Sequence, residues 1–361
     1  HAQYLLEGTV RCDGSQVRIT AHLVDAAGDT QLWAESYDRP GVDPLLVQAD
    51  VATQIVRAVA VELLPDRAPA PSTGTRNAEA QRAFLKGRFH WQRPGADGLE
   101  DCLGFYTQAL TLDPTFAAAH GALARATVAA AEYYVMPPRE AFDAAEASAV
   151  RALALDPSQS EAYTALAEVR RARDCDWDGA DDAFRRALTI NPSNEGARRL
   201  YGVFLASRGQ TQPAATMTDI ACELDPLCLV SNTGCAWVSY VAGDYHDVID
   251  RCLHTIELAA DFPAPHRLMA AAHVQLGDAK AGVRHLESVP TIHWEPATIA
   301  WLAHAMAHSG DLTGARRRLA ELEAMSAHST SHATTGLSPR SASATWTGRS
   351  ICWRRPDRKS T

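Results

Sequence analysis

Glycine returns at Gly209, Gly243, Gly277 and Gly310, at intervals of 34, 34 and 33 residues. A unit of this length cannot bury its own apolar face, so a chain with such a period must stack copies of one supersecondary unit against each other. Three of the glycines are followed by Asp244, Asp278 and Asp311, a residue type suited to capping the start of a helix. Five residues after each glycine stand Ala214, Val248, Gly282 and Ala315; seven before stand Gly202, Ala236, Ala270 and Ala303. These mostly small residues predict a close approach of two antiparallel helices joined by a glycine turn, with Leu205, Met269 and Leu302 filling the seam.

The surrounding sequence agrees. Ala197, Leu200, Tyr201, Phe204 and Leu205 follow the helical i, i+3, i+4, i+7, i+8 pattern. The stretches ALTLDPT (109–115), ALALDPS (152–158), ALTINPS (187–193) and ACELDPL (221–227) recur, and each proline stops one helix before the next begins. Helix is expected from Ala78 to about Ser326. This pattern resembles the tetratricopeptide repeat, a helix-turn-helix unit with small residues at these places and a proline after its second helix. The resemblance divides the chain into about seven units: 77–115, 116–158, 160–193, 194–227, 228–261, 262–292 and 293–326, with EYYVMPPRE (132–140) lengthening the second.

The front reads differently. Val17, Ile19, Ala21 and Leu23 alternate with polar residues, Asp13-Gly14 and Gly28-Asp29 supply turn chemistry, and Leu32, Trp33 and Tyr37 mark a third strand. A helix with Val47, Val51, Ile55, Val56 and Val59 on one face is expected over 44–64, followed by the proline-rich linker 65–77. The run YLLEGTVRCDGSQVRITAHLVDAAGDTQLWAESYDR, with AFLKGRFHWQ and DWDGADDAFRRALTINPSN further on, is similar to the TolB/FlgO-like segment and repeat array of certain bacterial regulators. That resemblance implies an upstream domain, either a class III adenylate cyclase or a winged-helix DNA-binding domain, commonly with a membrane span between. The chain begins at His1 without an initiator Met and reads as part of something longer. The expected fold is therefore mainly α: a tetratricopeptide superhelical solenoid (78–326) behind a small truncated α+β unit (1–64).

Composition bounds the chemistry. Of 361 residues 46% are hydrophobic and 21% charged, as in a folded protein, and the net charge of −9 argues against a general nucleic-acid binder. No apolar run is long enough for a membrane span, since Phe116–Met136 is broken by His120, Arg125 and Glu132; no signal peptide is visible. Cytoplasmic placement is favoured, with the periplasmic face of a membrane-anchored parent as the alternative. Cys222, Cys228, Cys235 and Cys252 read as packing residues, because no Cys-x-x-Cys pair occurs. Asp174, Asp176, Asp178 and Gly179 open like a calcium loop, but Arg185 stands where the bidentate Glu belongs. Cys175 falls one repeat before Gly209, where a turn is due. His304 and His308 have zinc-like spacing without further ligands of a known motif, and His293, His328 and His332 are only nearby in sequence. With no phosphate-loop, dinucleotide or nucleophile-elbow motif, no catalytic residue, cofactor or metal is expected.

The expected partner is a protein or peptide in the concave groove, with a second copy of the chain as a further candidate and no direct nucleic-acid contact. The family's groove positions carry over onto Arg199, Trp237, Tyr240, Arg267, Gln275, His304 and His308. Trp237 also fits a core position between repeats. The resemblance thus implies a non-catalytic interaction and signal-relay module, with the regulatory half of a cyclase or the sensor half of a DNA-binding regulator as alternatives. Residues 327–361 read as an irregular basic tail. If Ala344-Thr345-Trp346-Thr347 is encoded GCG-ACC-TGG-ACC, reading two bases on gives Asp-Leu-Asp, so a frame slip after Ser326 would continue the array.

Overall fold

The computed structural model describes residues 4–13, 16–25, 30–40, 74–91, 96–133, 135–291, 294 and 296–331. The helix expected over 44–64, most of the 65–77 linker and the tail beyond Ser331 lie outside the described residues. Strands β1 (Tyr4–Asp13), β2 (Gln16–Asp25) and β3 (Thr30–Pro40) form an antiparallel sheet in the order β1-β2-β3. Ile19 lies opposite Tyr37 and Leu23 opposite Trp33, so the alternating apolar residues of β2 share a face with the aromatic residues of β3. Ala21, Leu23 and Tyr37 are buried on it.

Fourteen α-helices follow among the described residues, in antiparallel pairs. They are α1 (Ala78–Trp91) with α2 (Ala96–Leu112), α3 (Ala117–Glu132) with α4 (Pro138–Leu155), and α5 (Ser160–Val169) with α6 (Trp177–Ile190). Then come α7 (Glu195–Ser207) with α8 (Thr211–Leu224) and α9 (Leu229–Ala242) with α10 (Tyr245–Leu258). Finally α11 (Pro263–Gln275) pairs with α12 (Ala279–Glu287), and α13 (Pro296–Ser309) with α14 (Leu312–Ser331). The last helix runs on past residue 326, because neither Gly nor Pro interrupts the sequence before Gly336.

The glycines close these pairs. Gly209, Gly243, Gly277 and Gly310 have φ of 77, 84, 83 and 93°, the left-handed region open to glycine at little cost. After each, a backbone N–H reaches five residues back, as from Asp244 to the Ser239 carbonyl and from Asp311 to the Met306 carbonyl (both 3.0 Å), satisfying carbonyls at the helix end. The aspartates then cap the second helix: the side chains of Asp244, Asp278 and Asp311 accept from the backbone N–H of Asp247, Ala281 and Gly314. Ala236, Ala270 and Ala303 face Val248, Gly282 and Ala315 in the seam, all buried. Between pairs, Asp113, Asp156 and Asn191 accept from the backbone N–H two residues on, folding the proline-containing links into Asx turns. A second device secures these links. His120, Arg198, Asn232 and His266 each bond the backbone carbonyl six residues earlier, on Pro114, Pro192, Pro226 and Ala260 respectively.

One pair departs from the pattern. After α5 the chain makes a π-helical turn, Arg170–Asp174, and Cys175 takes the place of the glycine at φ 55°. The closing bond from Asp176 N–H now reaches six residues back, to Arg170 O. One extra residue is accommodated without breaking the helix. Asp176 caps α6 by accepting from Gly179 N–H, and Asp174 pairs with Arg173 at 2.8 Å. The carboxylates of the calcium-like run thus stand at a helix start and in an ion pair.

Two substitutions separate turn strain from seam packing. Nothing lies within 4 Å of a Cβ placed on Gly243, so Gly243→Ala should cost only the positive-φ penalty, about 1 kcal/mol. A Cβ on Gly202 would lie 2.5 Å from Thr218 Cγ2 and 3.0 Å from Ala214 O, so Gly202→Val should cost about 3 kcal/mol by prising α7 from α8. Urea unfolding of both variants checks this, and equal losses would contradict the seam assignment.

Candidate binding groove

The first helix of each pair lines one side of the stack, and the proposed groove residues project from α7, α9, α11 and α13. On α9, Trp237 and Tyr240 stack with ring centroids 5.9 Å apart, and Tyr240 meets Tyr245 of α10 at 5.5 Å. Gln275 of α11 donates to the Tyr240 hydroxyl at 3.5 Å, joining two successive units. Burial pushes the Tyr240 phenol above its ordinary range, and this bond opposes the shift. The Trp237 ring packs on the cluster of Ala236, Val248, Leu268 and Met269 while remaining only half-buried.

The other residues fall into separate groups. Arg267 bonds Thr298 Oγ1 at 3.2 Å. Trp301 meets His304 edge-on at 5.5 Å, and His304 lies 4.3 Å from His308 between ring centroids. Burial, reinforced by His308, holds His304 below the usual histidine range. His308 Nδ1 faces the His304 carbonyl at 2.9 Å, so that nitrogen serves the helix. His293 and His332 are outside the described residues. Among the described residues no group of three or more His, Cys, Asp or Glu side chains is arranged to hold a metal.

Arg199 belongs to a charge network that the sequence reading passed over. Its Nε is 4.0 Å from Glu195, and its side chain lies across α9 at Gly234, where an added Cβ would come 2.9 Å from Arg199 Cγ. Arg125 of α3, 6% exposed, bonds Glu161 of α5 at 2.9 Å and reaches Gly196 of α7. Trp91 covers its guanidinium at 5.7 Å. Glu168, 2% exposed, pairs with Arg171 at 2.6 Å. Glu132 is exposed at the rim of this network, near Glu168, Arg199, Arg171 and Arg125. One signal was present in the sequence: Glu161 and Glu195 are one 34-residue period apart.

No family model matches the chain. A protein of Rhizobium meliloti (strain 1021) assigned the name adenylate cyclase 3 is 33% identical over 122 residues, which is 34% of this chain and 21% of that protein. The transcriptional regulator HilA of Salmonella typhimurium is 22% identical over 254 residues, 68% of this chain and 43% of that protein. The chain therefore spans less than half the length of either relative. Among solved structures, the IFIT1 monomeric mutant matches with a TM-score of 0.58 at 11% identity, covering 77% of this chain and 65% of that one. The Cut9–Hcn1 hetero-tetramer matches at 0.52 and 14% identity, covering 78% and 52%. A tetratricopeptide repeat protein from Parabacteroides merdae, 13% identical, covers 68% of this chain at a TM-score of 0.47. The helix pairs, their left-handed glycine turns and their small-residue seams decide the matter. The fold is a tetratricopeptide-repeat solenoid.

Cys235 of α9 is buried, as the packing reading expects, and lies against Cys222 of α8 with Cα atoms 7.5 Å apart, wider than a disulfide ordinarily spans. Stacking the second helix of one unit on the first helix of the next brings them together, although they fall at different places in the repeat. Cys102 and Cys252 do pack in the interior, where burial pushes their thiols up to about 12.

Glu195 provides a test of the network. Burial raises its carboxyl, with Arg199 and Arg125 opposing, and its Oε1 has no hydrogen-bond partner among the described residues. A carboxyl whose pKa rises on folding costs stability once pH climbs from the ordinary Glu range through the raised value. Glu195→Gln should therefore raise the urea midpoint at about pH 7 and lose that advantage near about pH 3.5, below the ordinary Glu value. A variant less stable than wild type at neutral pH would show that the Arg199 pair outweighs desolvation.

Proposed function

We propose that this chain is a non-catalytic interaction module that binds an extended peptide or partner segment across α9, α11 and α13. The observation that carries this reading is the half-exposed Trp237–Tyr240 stack, linked by Gln275 to the next unit. Aromatic rings held rigid from below and open above are typical binding anchors. Arg267 and the His304–His308 pair supply polar groups along the same line of helices, suited to carboxylates and backbone carbonyls of a ligand. Arg199, 15% exposed and engaged with Glu195, positions α9 and marks one end of the site.

The two relatives favour a regulatory setting. Likeness to adenylate cyclase 3 supports the chain as the regulatory half of a cyclase, and likeness to HilA supports it as the sensor half of a DNA-binding regulator. In either, peptide engagement by the solenoid would be the input passed to the effector domain. The coding sequence upstream of His1 distinguishes them.

The test is a peptide-display selection on the purified chain, followed by anisotropy titration of the enriched peptides. Those peptides should carry an apolar residue near an acidic one. Trp237→Ala should weaken them by about 2 kcal/mol and also lower the melting temperature, because the ring covers Leu268 and Met269. Gln275→Ala and His308→Ala change exposed residues and should weaken binding with melting unaltered. No enriched peptide, or affinities indifferent to Gln275 and His308, would rule the groove out.

A further inference from the structure

Strand β1 is an edge left open. It pairs with β2 from Tyr4 to Asp13 without a register shift, and among the described residues no strand lies on its other side. Leu5 to Arg11 are exposed throughout, Leu6 at 51% and Val10 at 65%. Edge strands that face water alone are ordinarily blunted by short length, proline, lysine or a bulge. The opposite edge, β3, ends on Pro40 and meets β2 through a register shift at Leu23/Val24. β1 has no proline, lysine or bulge, and its mid-strand charges, Glu7 and Arg11, are of opposite sign.

Those two charges are unmatched. Register places Glu7 opposite His22, Thr9 opposite Thr20 and Arg11 opposite Arg18 of β2. Arg18 is already taken by Asp38 of β3 at 2.6 Å, and His22 Nδ1 lies 3.2 Å from Gln31 Oε1. Neither Glu7 nor Arg11 has an ion-pair partner among the described residues. They cannot serve each other, because four residues along a strand place them about 13 Å apart. An antiparallel second copy of the same strand serves both. We propose that β1 is a dimer interface, pairing with β1 of a second copy of this chain about a twofold axis at Thr9. An axis perpendicular to the sheet keeps the polar faces of the two copies on one side and the apolar faces on the other. Of the alignments that do so, only the one centred on Thr9 sets Glu7 opposite the second copy's Arg11, and symmetry makes that pair twice. Opposite charges facing each other across strands stabilise the pairing, and like charges oppose it. The same register sets Val10 opposite Gly8, which leaves the valine room, and joins two three-stranded sheets into one. The interface is independent of the groove on α9, α11 and α13.

Analytical ultracentrifugation of the whole chain at low salt, over a range of concentrations, reads the association directly. The unaltered chain should dimerise reversibly. Glu7→Arg and Arg11→Glu should each raise the dimer dissociation constant at least about tenfold, because symmetry counts each reversal twice. Both residues are exposed, so circular dichroism should stay unchanged. Mixing the two variants in equal amounts should restore association, since one chain then presents two cations and the other two anions. Combining both reversals in one chain should restore it as well. Mild oxidation of Thr9→Cys should crosslink the dimer, because opposed residues of antiparallel strands have Cα atoms about 4.5–5.5 Å apart, within disulfide reach. Glu7→Cys, about 13 Å from its own copy along the strand, should crosslink no more than the unaltered chain. A chain that stays monomeric, single reversals that associate as tightly as wild type, a mixture no stronger than its components, or equal crosslinking by Thr9→Cys and Glu7→Cys would overturn the proposal.

Discussion

Everything in this solenoid depends on how closely two antiparallel helices can approach within a pair. The seam is made largely of alanine and glycine: Ala214, Ala236, Ala270 and Ala303 are buried, and a Cβ on Gly282 would lie 3.0 Å from Ala270 O. Small side chains remove little apolar surface individually, so no pair has a deep core of its own. The larger buried groups, Phe184, Phe204, Met269, Leu286 and Leu302, occupy the spaces between a pair and its neighbours. Stability is therefore shared between adjacent units, and stacking is a condition of folding rather than a consequence of it.

Close approach also dictates the turns. A short connection between helices in contact leaves carbonyls at the end of the first helix and N–H groups at the start of the second unpaired. The glycine conformation satisfies the former and the following aspartate the latter. Where Gln210 replaces aspartate no side-chain cap forms, yet the turn persists, so the glycine geometry is the stricter requirement. The α5–α6 pair shows the other solution. A π-turn restores the phase of the chain so that Ala167 still enters the seam beside Ala180 and Ala183, at the cost of a strained residue at Cys175.

The glycine period, the proline punctuation and the β2 alternation made the architecture legible, because each is a local requirement that only a few residue types meet. The groove was less legible. Trp237 looks alike in sequence whether it packs or binds, and in the fold it lies across the boundary of a core cluster, part of its ring covered and part open. Arg125, Glu161 and Glu168 were hidden for another reason. A charged residue on a helix reads as a solvated face, and only the curvature of the stack turns that face into an enclosed one. The approach of Cys222 to Cys235 was hidden for the same kind of reason, since it brings together different positions of successive units.

The two halves of the concave side differ in what remains to be satisfied. In the first half Arg125, Arg171 and Arg199 have found Glu161, Glu168 and Glu195 as partners, and Trp91 covers Arg125. A ligand arriving there would have to displace ion pairs with at least one largely buried member, Arg125, Glu168 or Arg199, and separating one leaves a desolvated charge behind. In the second half the side chains are the aromatic Trp237 and Tyr240, the amide Gln275, the imidazoles of His304 and His308 and one guanidinium, Arg267, and Gln275 and His308 are exposed. Gln275 bonds the Tyr240 hydroxyl and His308 the His304 carbonyl, both neutral partners. Exchanging such bonds for those of a ligand costs far less than breaking a buried charge pair.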